Sequence, residues 1–298
     1  MNVRPLVGLL VFVTGILATA GPAAGYKPRK LVVGFAPWEN PGEIGRIASE
    51  VSRMLGQSLG MRVEPRITSD YAGVVEAMSH QQVDMAFFPP AAFVLAERKA
   101  GAKVILKSVF RGRSAYYAAI ITRQDSGIRS LKDLKGKSIA FVEPNSTSGS
   151  IYPRVMLIRA GLKAERDMRV QNAGGHDAVV LAVFHRKVDA GACFLNNPKP
   201  LEAAWTRPGV LPNAADRDQI RILGISPPIP SDNIAVRRDL DPELVGRIQE
   251  FFLNLSNSDD GSGKIRKIFR VDGFQKANSR DYDPVREAYA TIGLKLER

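Results

Sequence analysis

Short apolar runs typical of strands alternate along the chain with longer stretches whose apolar residues recur at helical spacing. In residues 43–59 apolar side chains recur every three or four positions, and Gly60 then suits the end of a helix. Pro65, within a predicted strand, indicates a sheet edge. Alternating strands and helices predict a mostly parallel sheet covered by helices. The predicted order is strand 31–35, helix 43–59, strand 63–68, helix 72–82, strand 83–88, helix 90–99 and strand 104–110.

The second half of the chain repeats this order. Tyr71 in the first half is matched by His176, another ring that can donate a hydrogen bond. Two similar α/β halves predict a ligand cleft between two lobes, near the carboxyl ends of the strands. The predicted elements of the second half are strand 138–142, helix 148–160, helix 176–186 and strand 188–194. Four residues of the first half recur unchanged 105 positions later: Val75, Ala77, Val83 and Asp84 are found again as Val180, Ala182, Val188 and Asp189.

Two segments, 108–122 and 222–236, are predicted to cross between the lobes. A helical tail, beginning with residues 242–255, is expected to return to the first lobe. The predicted arrangement is a hinged clamp. Its boundaries are a first lobe of residues 26–112 and 226–298 and a second lobe of residues 113–225.

The first 25 residues predict a secretory signal peptide. Arg4 precedes the apolar run 6–17, and small residues at 18–20 suit a signal peptidase. The run is too short to span a bilayer of roughly 30 Å, although an uncleaved membrane anchor is the alternative. No cysteine stands at the expected cleavage site, so no lipid anchor is expected. We therefore expect an exported protein in a periplasm.

Composition excludes several other classes of protein. The chain has 298 residues and a net charge of +12, but its basic residues are scattered and aromatics make up 7%, which argues against nucleic-acid binding. Cys193 is the only cysteine, so an intramolecular disulfide is impossible. His80, His176 and His185 lack metal-ligand spacing, so neither a metal site nor a cofactor is predicted. The positive charge is interpreted as solvated surface that can also steer an anionic ligand.

The most informative stretch runs from residue 138 to 153, with the sequence SIAFVEPNSTSGSIYP. Ser146, Thr147 and Ser148, followed by Gly149, open a predicted helix after a buried strand. Three hydroxyls beside the free backbone N–H groups of a helix N-terminus form an anion site. The alternative is that one serine simply caps the helix.

Five segments together resemble the phosphate-, phosphite- and phosphonate-binding periplasmic proteins of ABC importers. The Ser-Thr-Ser-Gly turn followed by Tyr-Pro is the most specific element, and the resemblance covers most of the chain after the signal peptide. It implies a type II periplasmic-binding fold, with two lobes that each contain a mostly parallel sheet, and no catalysis. The segments are GFAPWENP, YAGVVEAMSHQQVDMAFFPPAAFVLA, FVEPNSTSGSIYPRVML, GGHDAVVLAVFHRKVDAGA and PPIPSDNIAV.

The resemblance also implies roles for individual residues. The oxyanion would bind the hydroxyls and amides of residues 146–148, while His176 and Tyr71 would each donate a hydrogen bond. Asp232 matches a carboxylate near the ligand, which would accept from a protonated P–OH group or another donor. Independently of the resemblance, Trp38 lies in the first strand-to-helix loop, facing the expected cleft, and is a candidate wall of the pocket; packing within the loop is the alternative.

Two positions depart from the family pattern. Phe93 stands where a tyrosine is often found in the first lobe, so the pocket is expected to lack that hydroxyl. Asn196 stands where members that bind aminoalkylphosphonates have a carboxylate. Burying an ammonium without a partner is costly. The sequence therefore predicts a ligand without an amine: phosphite, methylphosphonate or phosphate.

The resulting prediction is a monomeric solute-binding protein that delivers a small phosphorus oxyanion to a membrane permease. One alternative is a periplasmic sensor domain for a different small anion. Another is a hydrolase that uses Ser146 or Ser148 with His176, although no nucleophile motif supports it.

Overall fold

Two β-sheets, each flanked by helices, make up the protein in a computed structural model that describes residues 25–36, 41–199, 201–257 and 259–294. The predicted α/β fold with two sheets is confirmed, but each sheet is mixed, because the parallel pairs at one end of it are joined by antiparallel pairs toward the other, and is not mostly parallel. The predicted signal segment, apart from Gly25, lies outside the described residues, as does Trp38. None of the described helices is both long and apolar enough to cross a membrane.

The element order follows the predicted alternation of strands and helices. The strands are β1 (Lys30–Phe35), β2 (Arg62–Ile67), β3 (Met85–Phe88), β4 (Lys103–Val109), β5 (Ala115–Arg123), β6 (Ser138–Phe141), β7 (Arg169–Asn172), β8 (Ala190–Pro198), β9 (Leu201–Ala203), β10 (Ile220–Ile225), β11 (Ile229–Pro230), β12 (Asn233–Val236) and β13 (Gly273–Lys276). The α-helices are α1 (Pro41–Leu59), α2 (Tyr71–Ser79), α3 (Pro90–Ala100), α4 (Tyr152–Arg159), α5 (Ala164–Asp167), α6 (His176–Phe184), α7 (Ala214–Arg217), α8 (Pro242–Asn257), α9 (Asp259–Phe269) and α10 (Asp283–Thr291).

The first sheet has the strand order β13-β4-β12-β3-β1-β2. Strand β1 is parallel to both β2 and β3, whereas β12 and β13 run antiparallel to their neighbours. Strand β2 lies at the end of the order, so the edge position indicated by Pro65 is confirmed. Helix α1 packs its apolar stripe on this sheet and buries Ile44, Val51 and Leu55 almost completely. This packing explains why residues 43–59 carry apolar side chains at helical spacing.

The second sheet has the strand order β10-β5-β8-β6-β7, with β11 paired to β5 and β9 paired to β8. Strand β6 is parallel to β7 and β8, while β5 is antiparallel to β8. The chain passes to this sheet between β4 and β5 and leaves it between β11 and β12. Both passages fall inside the segments predicted to cross between the lobes.

The repeat seen in the sequence is a repeat of structure. Helices α2 and α6 each have nine residues and begin 105 positions apart, at Tyr71 and His176. Asp84 accepts a hydrogen bond from the amide of Val32 at 2.8 Å, and Asp189 accepts one from the amide of Ser138 at 2.7 Å. Each aspartate thus joins the segment preceding its strand to the neighbouring parallel strand, β1 or β6. The two helices therefore present their first residues from equivalent places in the two lobes.

Candidate ligand-binding site

A cavity of about 160 Å³ lies between the lobes and contains most of the residues that the sequence singled out. The strands and helices of both sheets contribute to its lining. The side chains that line it from the first lobe include Tyr71, Phe88 and Asn233, and those from the second lobe include Tyr116, Ser146, Thr147, Ser148, His176 and Asn196. The structure thus brings the predicted hydroxyls, histidine and tyrosine to one place.

The segment after β6 does not begin with the regular helix predicted over residues 148–160. Residues Thr147–Ile151 form one π-helical turn, and the regular helix α4 begins only at Tyr152. Single π turns of this kind are frequent at functional sites. The hydroxyl of Ser146 accepts a hydrogen bond from the amide of Gly149 at 3.2 Å, so Ser146 caps the turn. The capping alternative therefore holds for Ser146, whose hydroxyl hydrogen remains available to the cavity.

Gly149 is required by the packing of this turn. Its carbonyl accepts a hydrogen bond from the amide of Val142 at 3.1 Å, which draws the turn onto the end of β6. A Cβ atom at this position would lie 2.3 Å from Cγ2 of Val142 and 2.8 Å from Oγ of Ser146. No side chain fits at such distances, so the glycine fixes where the three hydroxyls point.

Thr147 and Ser148 share a hydroxyl network with Tyr116. The Thr147 Oγ1 atom accepts a hydrogen bond from the amide of Ala91, in the first lobe, at 2.9 Å. The phenol of Tyr116 hydrogen-bonds with both Ser148 and Thr147, and burial raises its pKa well above its ordinary value. Tyr116 is therefore a neutral donor at physiological pH. The sequence did not reveal it, because Tyr116 and Tyr117 are adjacent on β5 and only the pairing of β5 decides which one faces the cavity.

His176, the first residue of α6, is a neutral hydrogen-bond donor. Its Nδ1 atom accepts a hydrogen bond from the amide of Phe194 at 3.3 Å, so the proton of the neutral ring is assigned to Nε2. Burial lowers the pKa of His176 to about 3. The ring of Phe194 packs edge-on against the imidazole at 5.0 Å between centroids and fixes its orientation. The site thus gains a directed N–H group without a positive charge.

Tyr71 occupies the matching place at the start of α2. Its amide donates to Oε2 of Glu143, in the second lobe, at 3.1 Å, and its side chain is 2% exposed. Burial, with smaller effects from the charges of Glu143 and Asp232, raises the pKa of its phenol. Like Tyr116, it stays protonated and can donate to an anion.

Asp232 lies between β11 and β12, with its carboxyl group facing the cavity. Asp232 is exposed, and the surface that it exposes borders the cavity, where the surrounding protein still keeps the carboxyl group away from bulk water. Burial raises its pKa to about 7, against the lowering effect of Arg207. A carboxyl group with this pKa exchanges a proton near neutral pH, as the predicted contact with a P–OH group requires.

Phe93 requires a correction. It is fully buried in α3, where its ring packs edge-on against Tyr282 at 4.8 Å, and it does not line the cavity. Helix α3 places residue 93 on its core-facing side, so the identity of this ring affects packing. Asn196 does line the cavity. Trp38 lies outside the described residues, so its expected place in the wall stays a prediction.

Further polar residues line the cavity that the sequence did not indicate as ligand-binding, among them Arg207, Arg270 and Asn233. The guanidinium carbon of Arg207 lies 4.2 Å from the centroid of the Phe194 ring. Burial, together with the charge of Arg270, lowers the pKa of Arg207 to about 9. Asn233 is 2% exposed, and neither polar atom of its amide has a well-aligned hydrogen-bond partner among the described residues. Such an amide is suited to bind a ligand.

The matching family model is described as ABC transporter, phosphonate, periplasmic substrate-binding protein, and it covers residues 33–282. The chain belongs to this family. The phosphonate-binding family is the binding component of a transporter rather than an enzyme, so the expectation of no catalysis is confirmed. In agreement, Ser146 already accepts a hydrogen bond from Gly149, and a histidine with a pKa of about 3 is a poor general base.

Relatives of this phosphonate-binding family member match it over most of the chain. The phosphate-import protein PhnD of Mycolicibacterium smegmatis is 30% identical, over 89% of this chain and 87% of the relative. A binding component of an ABC phosphonate transporter from Pseudomonas aeruginosa has a TM-score of 0.77 at 23% identity, covering 90% of this chain and 87% of that one. PhnD1 from Prochlorococcus marinus, in complex with methylphosphonate, has a TM-score of 0.76 at 20% identity, covering 90% of this chain and all of that one (100%).

Proposed function

We propose that this protein captures a small phosphorus oxyanion, namely a phosphonate, phosphite or phosphate, in the cavity between its lobes and delivers it to a membrane permease. The observation that carries the proposal is the convergence of neutral donors on one cavity that also contains a carboxyl group with a pKa of about 7. Hydroxyl and imidazole N–H groups bind an anion without the cost of burying cations. Family membership supports the role in transport.

In the proposed complex, each group has a distinct role. On binding, Ser148, Thr147 and Tyr116 turn the hydroxyl hydrogens that they share with one another toward the ligand from the second lobe, and His176 donates its Nε2–H. Tyr71 donates from the first lobe, so the ligand is held from both sides and stabilises the closed arrangement. Asp232 shares one proton with the ligand, which keeps two anionic groups from facing each other.

We further propose that the ligand lacks an amine. Asn196 is neutral and lines the cavity, so an ammonium group buried beside it would lack the carboxylate partner that offsets its desolvation. Calorimetry that compares methylphosphonate with 2-aminoethylphosphonate tests this point. Tighter binding of the amine would show that the cavity contains an ammonium site.

The export, location, oligomeric state and lobe boundaries of the protein are proposed from the sequence. Residues 1–25 are the export signal, and the mature protein acts in the periplasm as a monomer that does not bind nucleic acid. Residues 26–112 and 226–298 form one lobe, and residues 113–225 form the other, with β11 at their boundary.

The direct test is a thermal-shift panel of phosphite, phosphate, methylphosphonate, 2-aminoethylphosphonate, sulfate and a dicarboxylate. A ligand that binds only the folded state raises its stability by about 2.7 kcal/mol at one hundred times its Kd. We expect a large shift with at least one amine-free phosphorus oxyanion and little with sulfate. A panel in which only sulfate or the dicarboxylate shifts the melting temperature would contradict the proposal.

His176→Leu is expected to weaken methylphosphonate binding by about 10–100-fold, because one hydrogen bond to a charged group contributes roughly 1.5–3 kcal/mol. His176 itself should contribute no pH dependence between pH 5 and 8, since its pKa lies near 3. Calorimetry at both pH values measures this. His185→Leu, on the outer end of the same helix, is the control and should bind normally. A fall in wild-type affinity that tracks a histidine pKa near 6.5 and disappears in His176→Leu would refute the neutral-donor role.

A further inference from the structure

Asp232 lies at the point where the chain passes from one sheet to the other. It follows β11, which pairs with β5 of the second sheet, and it precedes β12 of the first sheet. Asp232 itself belongs to neither strand, so the pairing of strands does not fix the direction of its carboxyl group. The contacts made by the backbone on either side of Asp232 therefore decide where this group points.

Hydrogen bonds to three other parts of the chain hold the backbone around Asp232. The amide of Ser231 donates to the carbonyl of Ser114 at 3.1 Å, and the carbonyl of Asp232 accepts from the amide of Ser108 at 2.9 Å. The third bond comes from a side chain, because the phenol of Tyr282 donates to the carbonyl of Ser231 at 3.1 Å. This bond acts directly on the peptide group that joins Ser231 to Asp232.

Tyr282 is a rigid donor. It ends the short helical turn Ser279–Tyr282, its side chain is fully buried, and its ring packs edge-on against Phe93 at 4.8 Å between centroids. Burial raises the pKa of the phenol well above its ordinary value, with smaller effects from the charges of Asp232 and Asp281. The hydroxyl therefore keeps its proton, and the packed ring fixes the direction in which it donates.

The turn that carries Tyr282 is fastened to the first sheet. Asp281 accepts a hydrogen bond from Nζ of Lys107, on β4, at 2.9 Å and another from the amide of Asn278 at 3.0 Å. Helix α10 follows the turn directly and packs against α3 and β11. The C-terminal segment thus reaches the crossing between the sheets from behind, on a base that β4 holds in place.

We propose that Tyr282 is a positioning residue for Asp232: its hydroxyl holds the peptide group before Asp232 so that the carboxyl group meets the protonated oxygen of the ligand. This inference rests on the proposed function and adds a residue that governs its selectivity. A protonated oxyanion gains a hydrogen bond to the carboxylate, whereas an oxyanion without a proton faces a negative charge. The position of the carboxyl group therefore determines how well the two are distinguished.

The experiment measures the ratio of methylphosphonate to methanesulfonate affinity by calorimetry on the mature protein. Methanesulfonate has the same shape but carries no proton at neutral pH. Tyr282→Phe keeps the ring against Phe93 and removes only the hydroxyl. Once the carboxyl group is displaced, methylphosphonate loses an acceptor and methanesulfonate loses a repulsion, so the ratio should fall by about tenfold or more. A purely structural role would lower the melting temperature and weaken both ligands alike, which leaves the ratio unchanged.

Tyr289→Phe is the matched control. Tyr289 is buried in α10, and its hydroxyl donates to the carbonyl of Ala91 at 3.3 Å, so each variant removes one buried hydroxyl from the same segment. The two variants should lose similar amounts of thermal stability, but Tyr289→Phe should keep the wild-type ratio. An equal fall of the ratio in both variants would assign the effect to general loosening of the segment and would overturn the role of the bond to Ser231.

Asp281→Asn tests the same link without changing a buried hydroxyl. It weakens the ion pair with Lys107, so the ratio should fall in the same direction by about threefold. Thermal melts show whether each variant folds, and Asp281→Asn decides the matter alone if Tyr282→Phe does not. A folded Tyr282→Phe protein with the wild-type ratio would overturn this inference and leave the proposed function intact. Failure of the wild-type protein to bind methylphosphonate, phosphite and phosphate would overturn both.

Discussion

Gly149→Ala is expected to weaken methylphosphonate binding by about 100-fold or more. The new methyl group would lie 2.3 Å from Cγ2 of Val142, a stiff β-branched side chain on a buried strand end. The turn must move to relieve this contact, and the hydroxyls of residues 146–148 move with it. Overpacking of this kind also costs about 1–3 kcal/mol of folding stability.

Calorimetry and thermal melts of Gly149→Ala, measured together, separate the two effects. Gly246→Ala is the matched control, because Gly246 lies in α8 with open space where its Cβ would point. That variant should gain up to about 1 kcal/mol of stability and bind normally. A Gly149→Ala protein that folds and binds methylphosphonate with wild-type affinity would show that the turn does not form the oxyanion site.

Asp232→Asn is expected to remove the pH dependence of binding and to admit ligands that carry no proton. In the wild-type protein, Asp232 and the phosphonate share one proton, so affinity should fall about tenfold per pH unit once both have lost it. An asparagine amide can donate a hydrogen bond to the oxyanion whether or not the oxyanion is protonated. Methanesulfonate matches methylphosphonate in shape but has no proton at neutral pH, so the carboxylate repels it in the wild-type protein. The variant should bind it about 10–100-fold more tightly than the wild-type protein does.

The same substitution should change stability in a defined direction. The pKa of Asp232 is about 7 in the folded protein, above its ordinary value near 3.9, so the folded state binds more protons between these values. Wild-type stability therefore falls as pH rises from about 4 to 7, and Asp232→Asn escapes this loss. The advantage of the variant in melting temperature, without ligand, should grow between pH 5 and 8.

Calorimetry from pH 6 to 9 and ligand-free melts at pH 5 and 8 measure these effects. Asp241→Asn is the control, because Asp241 is 7% exposed but is not among the residues that line the cavity. It should retain the wild-type pH profile of binding. A steep loss of affinity above pH 7 that persists in Asp232→Asn would place the titrating group elsewhere.

Much of the fold could be predicted from the sequence because the signals were periodic and repeated. The offset of 105 residues correctly related α2 to α6, and the proline in the second strand correctly indicated an edge. The pattern of apolar residues along one segment could not show which of its side chains face the cavity and which face the core. The prediction that residue 93 belongs to the ligand pocket was wrong, because α3 is oriented so that Phe93 faces the core and packs on Tyr282.

The charged part of the cavity could not be predicted for a similar reason. Arg207 lies in an irregular segment after β9, and Arg270 is far from it in sequence. Only the approach of the two lobes brings both to one cavity, and no local pattern records that approach. Asn233 was part of a recognised segment, but its unsatisfied amide becomes informative only once burial is known.

Two hydrogen bonds across the cleft lower the free energy that a small ligand must supply to close the two lobes. The amides of Tyr71 and Ala91 in the first lobe bind Glu143 and Thr147 in the second, at 3.1 and 2.9 Å. A ligand of five heavy atoms can supply at most about 1.5 kcal/mol per atom, which limits its Kd to the micromolar range. Because protein groups contribute part of the energy of closing, less of that small total is spent on moving the lobes. Capture of the proposed ligand then depends as much on these direct contacts between the two sides of the cleft as on the contacts to the ligand itself.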